Sequence, residues 1–296
     1  MKIRLILNFF LFSIIPLVLI GQDPVKTTND IVNEDFSYFL ANVSYINDNV
    51  FMGRRDSIAA PYLFPSLGYY NKSGFFADAS LSFLTGSEAN RVDLFLLSTG
   101  YNFNLNKFSG GISGTAYFFN EESFNVMSSV LGDLTGIVGY DFEVMEASFS
   151  LTGYFNDGSS TDIITGLMLD RTFYAINKNL MINPSISLYA GTQHFYQQYY
   201  SSSRLGNRKG NGMGNSGSES AEPNMINIDE VEKFKVLNIE LAIPLHYNYR
   251  HFFFSFYPMM AFPQSSATII SEDTIVEEDL KPVFYWSAGI SYWFKS

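Results

Sequence analysis

Cysteine, histidine and charged residues are scarce in this chain. Its 296 residues include no cysteine and three histidines, and 16% of them are charged. The lack of cysteine excludes disulfide bonds, thiolate metal sites and the acylated cysteine of a lipoprotein. After the first 20 residues, no apolar run approaches the roughly 20 residues that a helix needs to cross hydrocarbon. The sequence therefore predicts no helical membrane span beyond its N-terminal region.

The N terminus has the pattern of a secretory leader. Lys2 and Arg4 precede an apolar-rich stretch that ends at Ile20, and Gly21 offers a small-residue cleavage point. We predict a signal peptide. An uncleaved membrane anchor is the alternative, since about 18 apolar residues can just span a bilayer.

The chain is acidic, with 29 Asp and Glu against 18 Lys and Arg and a formal net charge of −11. Loss of the leader removes Lys2 and Arg4 and no acid, so −11 less two gives −13 for the mature chain. Phosphate contacts need clustered Lys and Arg. We therefore predict that nucleic acid is not a partner.

Apolar residues beyond the leader recur with a period of two. In residues 74–84 they largely alternate with Asp78, Ser80 and Ser82, and residues 143–155 repeat the pattern. This is the period of a β-strand, whose successive side chains point to opposite faces. Each segment is long enough for the roughly 9 to 11 tilted residues of a transmembrane strand. The twelve predicted strands are 35–47, 59–71, 74–84, 91–104, 107–119, 130–141, 143–155, 161–175, 180–198, 232–248, 250–262 and 283–295.

The connections between these segments alternate in length. Those after even-numbered strands are short, as at 71–74 and 105–106, whereas those after odd-numbered strands reach 199–231 and 263–282. A membrane barrel has short periplasmic turns and longer outside loops, and an even strand count brings both termini to the periplasm. A secreted β-sandwich, the alternative, has no reason to sort its loops by length.

The C-terminal segment reads polar, any, Gly, any, any, aromatic, any, aromatic, carried by Ser287, Gly289, Tyr292 and Phe294. This pattern resembles the C-terminal assembly signal of Gram-negative outer-membrane β-barrels. The resemblance implies recognition by the barrel-assembly machinery and integration into the cell outer membrane. Two features depart from it: the chain ends in Ser296 where an aromatic is more usual, and its N-terminal segment is too short for the plug domain of TonB-dependent transporters.

The polarity of the alternating sets predicts which side meets lipid. In the tenth strand an apolar stripe is expected to face outward; its members are Leu237, Ile239, Leu241, Ile243, Leu245 and Tyr247. Aromatic residues near strand ends predict a girdle at the periplasmic rim. They are Tyr45, Tyr69, Tyr101, Phe103, Tyr140, Phe142, Phe173, Tyr247, Phe252, Tyr292 and Phe294.

Charged residues within the strands are expected inside the barrel, because a carboxylate in hydrocarbon is costly. The lumen-lining candidates are Asp78, Asp133, Asp141, Glu146, Asp170, Glu240 and His246. Simple lumen polarity satisfied by water is one interpretation, and a cation-favouring or ligand-binding pore is the other. Inward aromatics have the size to close a 12-stranded bore completely; they include Tyr62, Phe64, Tyr117 and Tyr189.

Prolines are the main misfit to a closed sheet, because each lacks a backbone donor. They are Pro61, Pro65, Pro184, Pro244 and Pro258, and we expect bulges or kinks at these positions.

The largest connection, 199–231, is rich in Gly, Ser and Asn and too poor in apolar side chains to offset ordering entropy. We predict a surface loop, with a folded-in constriction or a receptor-binding loop as the alternative. His194 and His246 are the candidates for a His-based enzyme, although His194 has no same-face serine before Ser201. No segment has EF-hand spacing, and we expect neither a metal nor a cofactor.

Together these patterns predict an all-β fold, a transmembrane antiparallel up-and-down β-barrel of about 12 strands. The predicted organisation is a signal peptide at 1–21, a short periplasmic segment at 22–34 and the barrel at 35–296. The expected function is passage or binding of small solutes through a polar, acidic lumen, with outer-membrane lipid and lipopolysaccharide around the wall. The alternatives are a structural or adhesive surface barrel acting through its outer loops, and a lipid-modifying barrel enzyme.

Overall fold

The computed structural model describes most of the predicted barrel. The described residues are 36–55, 60–85, 90–120, 123, 125, 127–157, 161–195, 227–228, 232–266, 268–270, 275–277 and 280–295. The predicted signal peptide at 1–21 and the segment at 22–34 lie outside them, as does nearly all of the predicted loop 199–231.

The described strands are numbered in chain order. They are β1 (Tyr38–Ile46), β2 (Tyr62–Tyr70), β3 (Phe75–Leu84), β4 (Arg91–Leu105), β5 (Phe108–Phe119), β6 (Val130–Asp141), β7 (Glu146–Asn156), β8 (Thr161–Asp170), β9 (Phe173–Ala175), β10 (Leu180–Ile182), β11 (Ser185–Gly191), β12 (Asn227–Ile228), β13 (Lys235–Ala242), β14 (Leu245–Tyr249), β15 (Phe252–Pro263), β16 (Thr268–Ile270), β17 (Ile275–Glu277) and β18 (Val283–Lys295).

Fifteen strands form one antiparallel sheet that closes on itself. β1 pairs with β2 on one side and with the C-terminal β18 on the other, from Tyr38 opposite Lys295 to Ile46 opposite Ser287. Short breaks separate β8 from β9, β10 from β11, and β13 from β14, so the wall consists of twelve strands. The predicted 12-stranded antiparallel barrel is confirmed. β12, β16 and β17 form a separate small sheet.

The outward face of the wall is apolar and exposed. Leu67, Leu97, Leu151 and Leu167 are exposed on the outside, whereas inward positions such as Ser150 are buried. Soluble proteins rarely expose contiguous apolar patches larger than a few hundred Å². A belt of this kind around a closed sheet identifies a transmembrane barrel. No helix within the described ranges is long and apolar enough to span a bilayer.

Five short connections lie at one end of the barrel, here termed the turn end. They are 71–74, 106–107, 142–145, 176–179 and 250–251. Gly74 has a left-handed φ of +99°, and a Cβ on it would collide with the carbonyl oxygen of Asn102, so only glycine fits. The connections at the opposite, loop end are mostly longer, and the predicted alternation of connection lengths is confirmed.

A β-bulge displaces one member of the predicted lipid-facing stripe. Tyr189 pairs with Asn238 and Ala190 pairs with Val236, which leaves Leu237 as the extra residue of β13. Leu237 is fully buried inside the barrel, so its predicted outward position is wrong. A count with a period of two cannot detect an inserted residue. It therefore assigns Leu237, which lies on the N-terminal side of the stripe, to the wrong face.

Aromatic rings pair along the outside of the turn end. Phe39 stacks on Phe294 at 5.5 Å, and Phe252 meets Tyr292 at 5.0 Å between ring centroids. The predicted girdle position of Tyr45 is wrong, because Tyr45 lies near the loop end of β1, where its ring is 5.6 Å from Trp286. The other tryptophan, Trp293, lies at the turn end of the same strand with its ring 4.6 Å from that of His251.

Prolines lie where neighbouring ladders are interrupted. Pro184 and Pro244 occupy the breaks of their strands, and Pro258 in β15 faces the break in its neighbour. The carbonyl oxygens of Pro184, Pro244 and Pro258 each still accept one hydrogen bond from a backbone N–H of the neighbouring strand, at 2.9–3.2 Å. Pro65 falls in a gap of the β2–β3 register, and Pro61 precedes β2. The wall thus accommodates prolines by omitting pairs around them.

The lipid-facing belt leads to the first prediction. Leu151→Arg, at a position that is 49% exposed in the middle of β7, is expected to destabilise the barrel in a bilayer by about 2–4 kcal/mol, because the charge must enter hydrocarbon. The control is Val144→Arg, at a turn position that is 59% exposed and hydrated. Urea-dependent folding into lipid vesicles measures both free energies, and equal small losses would contradict the membrane assignment.

Candidate functional site in the barrel interior

Residues 47–55, here termed the inner loop, enter the barrel from the loop end and cross its bore. Phe51 makes edge contacts with Phe195 at 4.8 Å and with Tyr154 of β7 at 6.0 Å between ring centroids. β7 is six wall strands from β1 in either direction, so it lies diametrically opposite the strand from which the loop departs. The inner loop therefore occupies the full width of the bore.

Polar contacts hold the inner loop in this position. Phe51 and Arg54 exchange backbone hydrogen bonds of 2.7 and 2.9 Å, and the Arg54 guanidinium donates to the carbonyl of Ser265 at 2.5 Å. Gly53 has a φ of +76°, and a Cβ on it would stand 2.8 Å from Cβ of Pro263. The tip of the loop is thus fitted closely against the wall.

Wall side chains complete the closure of the loop end. The inward aromatics Tyr62, Phe64, Tyr117 and Tyr189 are buried in one cluster with Phe51. These packed side chains and the inner loop together fill the bore near the loop end. The aromatics are large enough to do so in a 12-stranded barrel.

Tyrosine hydroxyls bind carboxylates beside this cluster. Tyr62 donates to Asp93 at 2.5 Å and Tyr117 donates to Asp133 at 2.6 Å. On the inner face, Tyr285 of β18 donates to Glu240 of β13 at 2.6 Å, over the intervening strand β15. Each bond has the short O–H···O distance that is typical of a carboxylate acceptor, and the three carboxylates are partnered within a closed layer.

Asp162 organises the chain where it leaves β11. Its Oδ1 accepts hydrogen bonds from Thr192 Oγ1 at 2.6 Å and from the backbone N–H of His194 at 2.7 Å, while His194 Nδ1 lies 3.0 Å away. Its Oδ2 accepts from Asn156 Nδ2 and from the backbone of Phe195. His194 therefore has a carboxylate partner, and within the described part of the chain it makes no hydrogen bond to a serine.

A second group of carboxylates lies at the turn end. Asp141, Glu146 and Asp170 are direct cross-strand neighbours on β6, β7 and β8. Glu146 Oε1 is 3.3 Å from Ser109 Oγ. Asp78 on β3 is 6% exposed, and its buried Oδ2 has no hydrogen-bond partner. These carboxylates are less well partnered than those at the loop end.

The opposite wall of the turn end is aromatic. A cluster of Leu40, Tyr70, Phe76 and Phe253 is buried there, and Trp293 packs against it. Tyr70 also stacks on Tyr38 at 5.1 Å between ring centroids. The row formed by Asp141, Glu146 and Asp170 thus lies on one side of the turn end, and the aromatic cluster, with Asp78 beside it, lies on the other.

Basic residues are absent from the middle of the described wall strands. Arg91, Lys235 and Lys295 lie at strand ends, and Arg91 is 3.2 Å from Asp93. Lys107, in the turn beside Asp141, bonds Glu143 at 2.8 Å, and this hydrogen bond raises the pKa of Lys107. Eight inward carboxylates face this interior: Asp78, Asp93, Asp133, Asp141, Glu146, Asp162, Asp170 and Glu240.

The structure places all seven candidate lumen residues on the inner side of wall strands, with His246 Nε2 3.2 Å from the hydroxyl of Tyr257. These residues lie at two heights along the barrel axis. Asp133 and Glu240 are bonded to tyrosines near the loop end, whereas Asp78, Glu146 and Asp170 lie nearer the turn end. Their role as a lumen lining stays a prediction.

Sequence reasoning missed Asp93, Asp162 and the inner loop. Asp93 is the extra residue of a bulge, since Ser82 pairs with Leu94 and Phe83 pairs with Val92. Asp162 follows the oxygen-rich stretch that begins at Asn156, which is typical of a hairpin. The signal that was available for both is a carboxylate within a segment whose outward positions are apolar.

No protein-family profile matches the chain, and no curated protein matches it. Among solved structures, a KdgM porin aligns with a TM-score of 0.46 at 9% identity, over 86% of this chain and 98% of that one. A NanC porin aligns with a TM-score of 0.44 at 13% identity, over 86% and 98%. An anion-selective porin from Comamonas acidovorans aligns with a TM-score of 0.34 at 9% identity, over 87% and 98%. The barrel fold is established by the strand pairing of this chain itself.

The tyrosine–carboxylate bonds lead to the second prediction. Tyr117→Phe removes one of the two donors to Asp133 and is expected to cost about 1–3 kcal/mol of folding free energy, because the buried Oδ2 loses its partner while Thr135 still donates to Oδ1. Tyr154→Phe is the matched control, since the Tyr154 hydroxyl is buried without a partner, and its cost is expected to stay within about 0.5 kcal/mol. Urea titration in vesicles measures both values, and equal losses would refute a structural role for the Tyr117–Asp133 bond.

Proposed function

We propose that the protein is an outer-membrane barrel that passes small polar solutes, cations in preference to anions, when the inner loop leaves the bore. The observation that carries the proposal is the excess of inward carboxylates over basic residues in the wall strands. A bore lined by one sign of charge concentrates ions of the other sign. The basic residues at strand ends do not offset this excess along the middle of the bore.

Buried polar groups without partners support a hydrated interior. Asp78 Oδ2 and the hydroxyls of Ser66, Ser80 and Ser82 are buried with no hydrogen-bond partner. An isolated carboxylate in a dry interior is prohibitively costly, and buried polar groups in native proteins are nearly always satisfied. Water or a solute cation supplies the missing partners, as the interior of a solute pathway requires.

The inner loop supports a closed state. It is a connection rather than a wall strand, and it is held at the far side of the bore by the ring contacts of Phe51 with Tyr154 and Phe195. Loops that fold into a barrel can move without breaking the sheet. Withdrawal of residues 47–55 would therefore open the loop end while the wall stays intact.

The last strand supports an outer-membrane location. The motif residues Ser287, Gly289, Tyr292 and Phe294 all lie in β18, the strand that closes the barrel against β1. With the turn end in the periplasm, the start of β1 and the end of β18 both lie on the side from which such barrels are inserted. The surrounding partners would then be outer-membrane lipid and lipopolysaccharide.

A structural or surface role is the second candidate, and the filled loop end favours it. A bore that is closed by buried aromatics can serve as a rigid support for outer loops without passing any solute. Conductance distinguishes the two functions, because a purely structural barrel stays closed whether or not the inner loop is weakened.

The third prediction concerns gating in planar bilayers. Phe51→Ala removes the two ring contacts that hold the inner loop, each worth about 1 kcal/mol, and is expected to raise the open fraction roughly thirtyfold. The reversal potential in a salt gradient is expected to show cation preference.

Phe256→Ala, which removes a lipid-facing ring, is the control and should leave gating as in the wild type. An anion preference, or the absence of conductance in both the wild type and Phe51→Ala, would refute the channel proposal.

A further inference from the structure

The outer wall of the barrel has a recess over β3, within the lipid-facing belt. Its volume is about 390 Å³, which is in the range of small-molecule sites. Ala77, Ala79 and Thr99 form its floor, and Leu67 and Leu97 stand at its sides. The two leucines are 52% and 44% exposed, whereas both alanines are half-buried. The recess is therefore a hollow between projecting apolar side chains.

Strand pairing explains why the hollow lies at this place. Ala79 lies directly between Leu67 of β2 and Leu97 of β4. Ala77 lies in the next outward row, between Tyr69 and Thr99. Outward side chains of one row stand next to each other on the sheet, so two successive alanines flanked by larger residues leave space above them.

The recess is local and apolar. The next outward residues of β3 on either side are Phe75 and Leu81, and both are large and exposed. A strand rises about 3.3 Å per residue, so these two positions are roughly 20 Å apart. The hydroxyl of Thr99 donates to the carbonyl of Phe76 at 2.9 Å, which satisfies it within the wall. The space between the two large side chains therefore suits a segment of hydrocarbon chain.

Polar groups border the recess on the side of the turn end. Tyr69 lines the recess, and its hydroxyl accepts a hydrogen bond from Asn71 Nδ2 at 3.0 Å. Lys72 follows in the turn between β2 and β3, and it is exposed. Three residues of extended chain span about 10 Å at most, so the backbone of Lys72 lies within that distance of Tyr69. The apolar recess thus ends near a positive charge.

We infer that the recess binds one anionic phospholipid, with an acyl chain over Ala77 and Ala79 and the phosphate beside Lys72. The apolar part of the ligand follows from the belt, because hydrocarbon surrounds the wall at this height. The charge follows from Lys72, because a lysine near a membrane surface attracts anionic headgroups. The inference rests on the proposed orientation: with the turn end in the periplasm, the recess opens to the phospholipid leaflet rather than to lipopolysaccharide.

The experiment is native mass spectrometry of the full-length protein in detergent, with dioleoyl-phosphatidylglycerol as the probe. The wild type is expected to retain one lipid. Ala79→Phe is expected to lower retention at least about tenfold, because the added ring displaces methylene groups from the recess. Lys72→Gln is expected to lower it about fivefold, because one headgroup attraction is lost. Dioleoyl-phosphatidylcholine, which has no net charge, should be retained equally by Lys72→Gln and the wild type.

The controls separate this site from general contact with lipid. Ala147→Phe puts the same ring on the outer face of β7, four strands from β3, and should retain phosphatidylglycerol as the wild type does. Lys178→Gln removes an exposed charge from another connection at the turn end and should also leave retention unchanged. Heat-dependent electrophoretic mobility verifies that each variant is folded.

Unchanged retention in Ala79→Phe, or an equal loss in Ala147→Phe, would overturn the inference. An equal loss in Lys178→Gln would replace the site by diffuse attraction of anionic lipid to the whole rim. A dimer without lipid that Ala79→Phe dissociates would assign the recess to a second copy of the chain instead. Retention of the lipid by a barrel that never conducts would refute the channel alone, and conductance without retention would refute this site alone.

Discussion

The hydrogen bonds between β1 and β18 join the first and last strands of the barrel, and without them the sheet would have two open edges. Hydrocarbon offers no partner for a backbone N–H or C=O, and each unsatisfied group costs several kcal/mol there. Closure is therefore the condition for membrane insertion. It also fixes the two faces of the wall, because alternate side chains then point either to lipid or into an enclosed interior.

Enclosure determines how the charges behave. Carboxylates that cannot face lipid are confined to the bore, where they need donors, cations or water. At the loop end they have tyrosine partners, as in Tyr117 with Asp133 and Tyr285 with Glu240, and hydrophobic packing surrounds them. At the turn end Asp78 and Asp170 retain oxygens without partners. The interior thus has one level at which the carboxylates are bonded to tyrosines and another at which two of them keep an unpaired oxygen.

Much of the wall was predictable from the sequence, because alternation and connection length both follow from a two-residue repeat crossing a membrane. The twelve strands and the inward direction of Glu240 follow from that repeat. The bulge at Leu237 was not predictable, since an inserted residue leaves no compositional trace. Prolines inside predicted strands indicate a misfit, but only three-dimensional pairing reveals that Pro184 and Pro244 share one interrupted region.

The interior was less predictable than the wall. The inward side chains were identifiable one by one, whereas their partners come from strands far apart in sequence, as with Tyr285 and Glu240. The inner loop has no periodicity to signal that it enters the bore. Its position depends on tertiary contacts between Phe51 and residues of β7 and of the segment after β11, and such contacts leave no local pattern.

The two tryptophans of the chain both lie on β18, one at each end and on opposite faces of that strand. Trp286 packs among outward rings near Tyr45 and Phe256, while Trp293 packs against the inner cluster. The tryptophan fluorescence of the whole protein therefore arises from its final strand alone. It provides a label-free optical signal for the moment at which the cylinder seals during assembly.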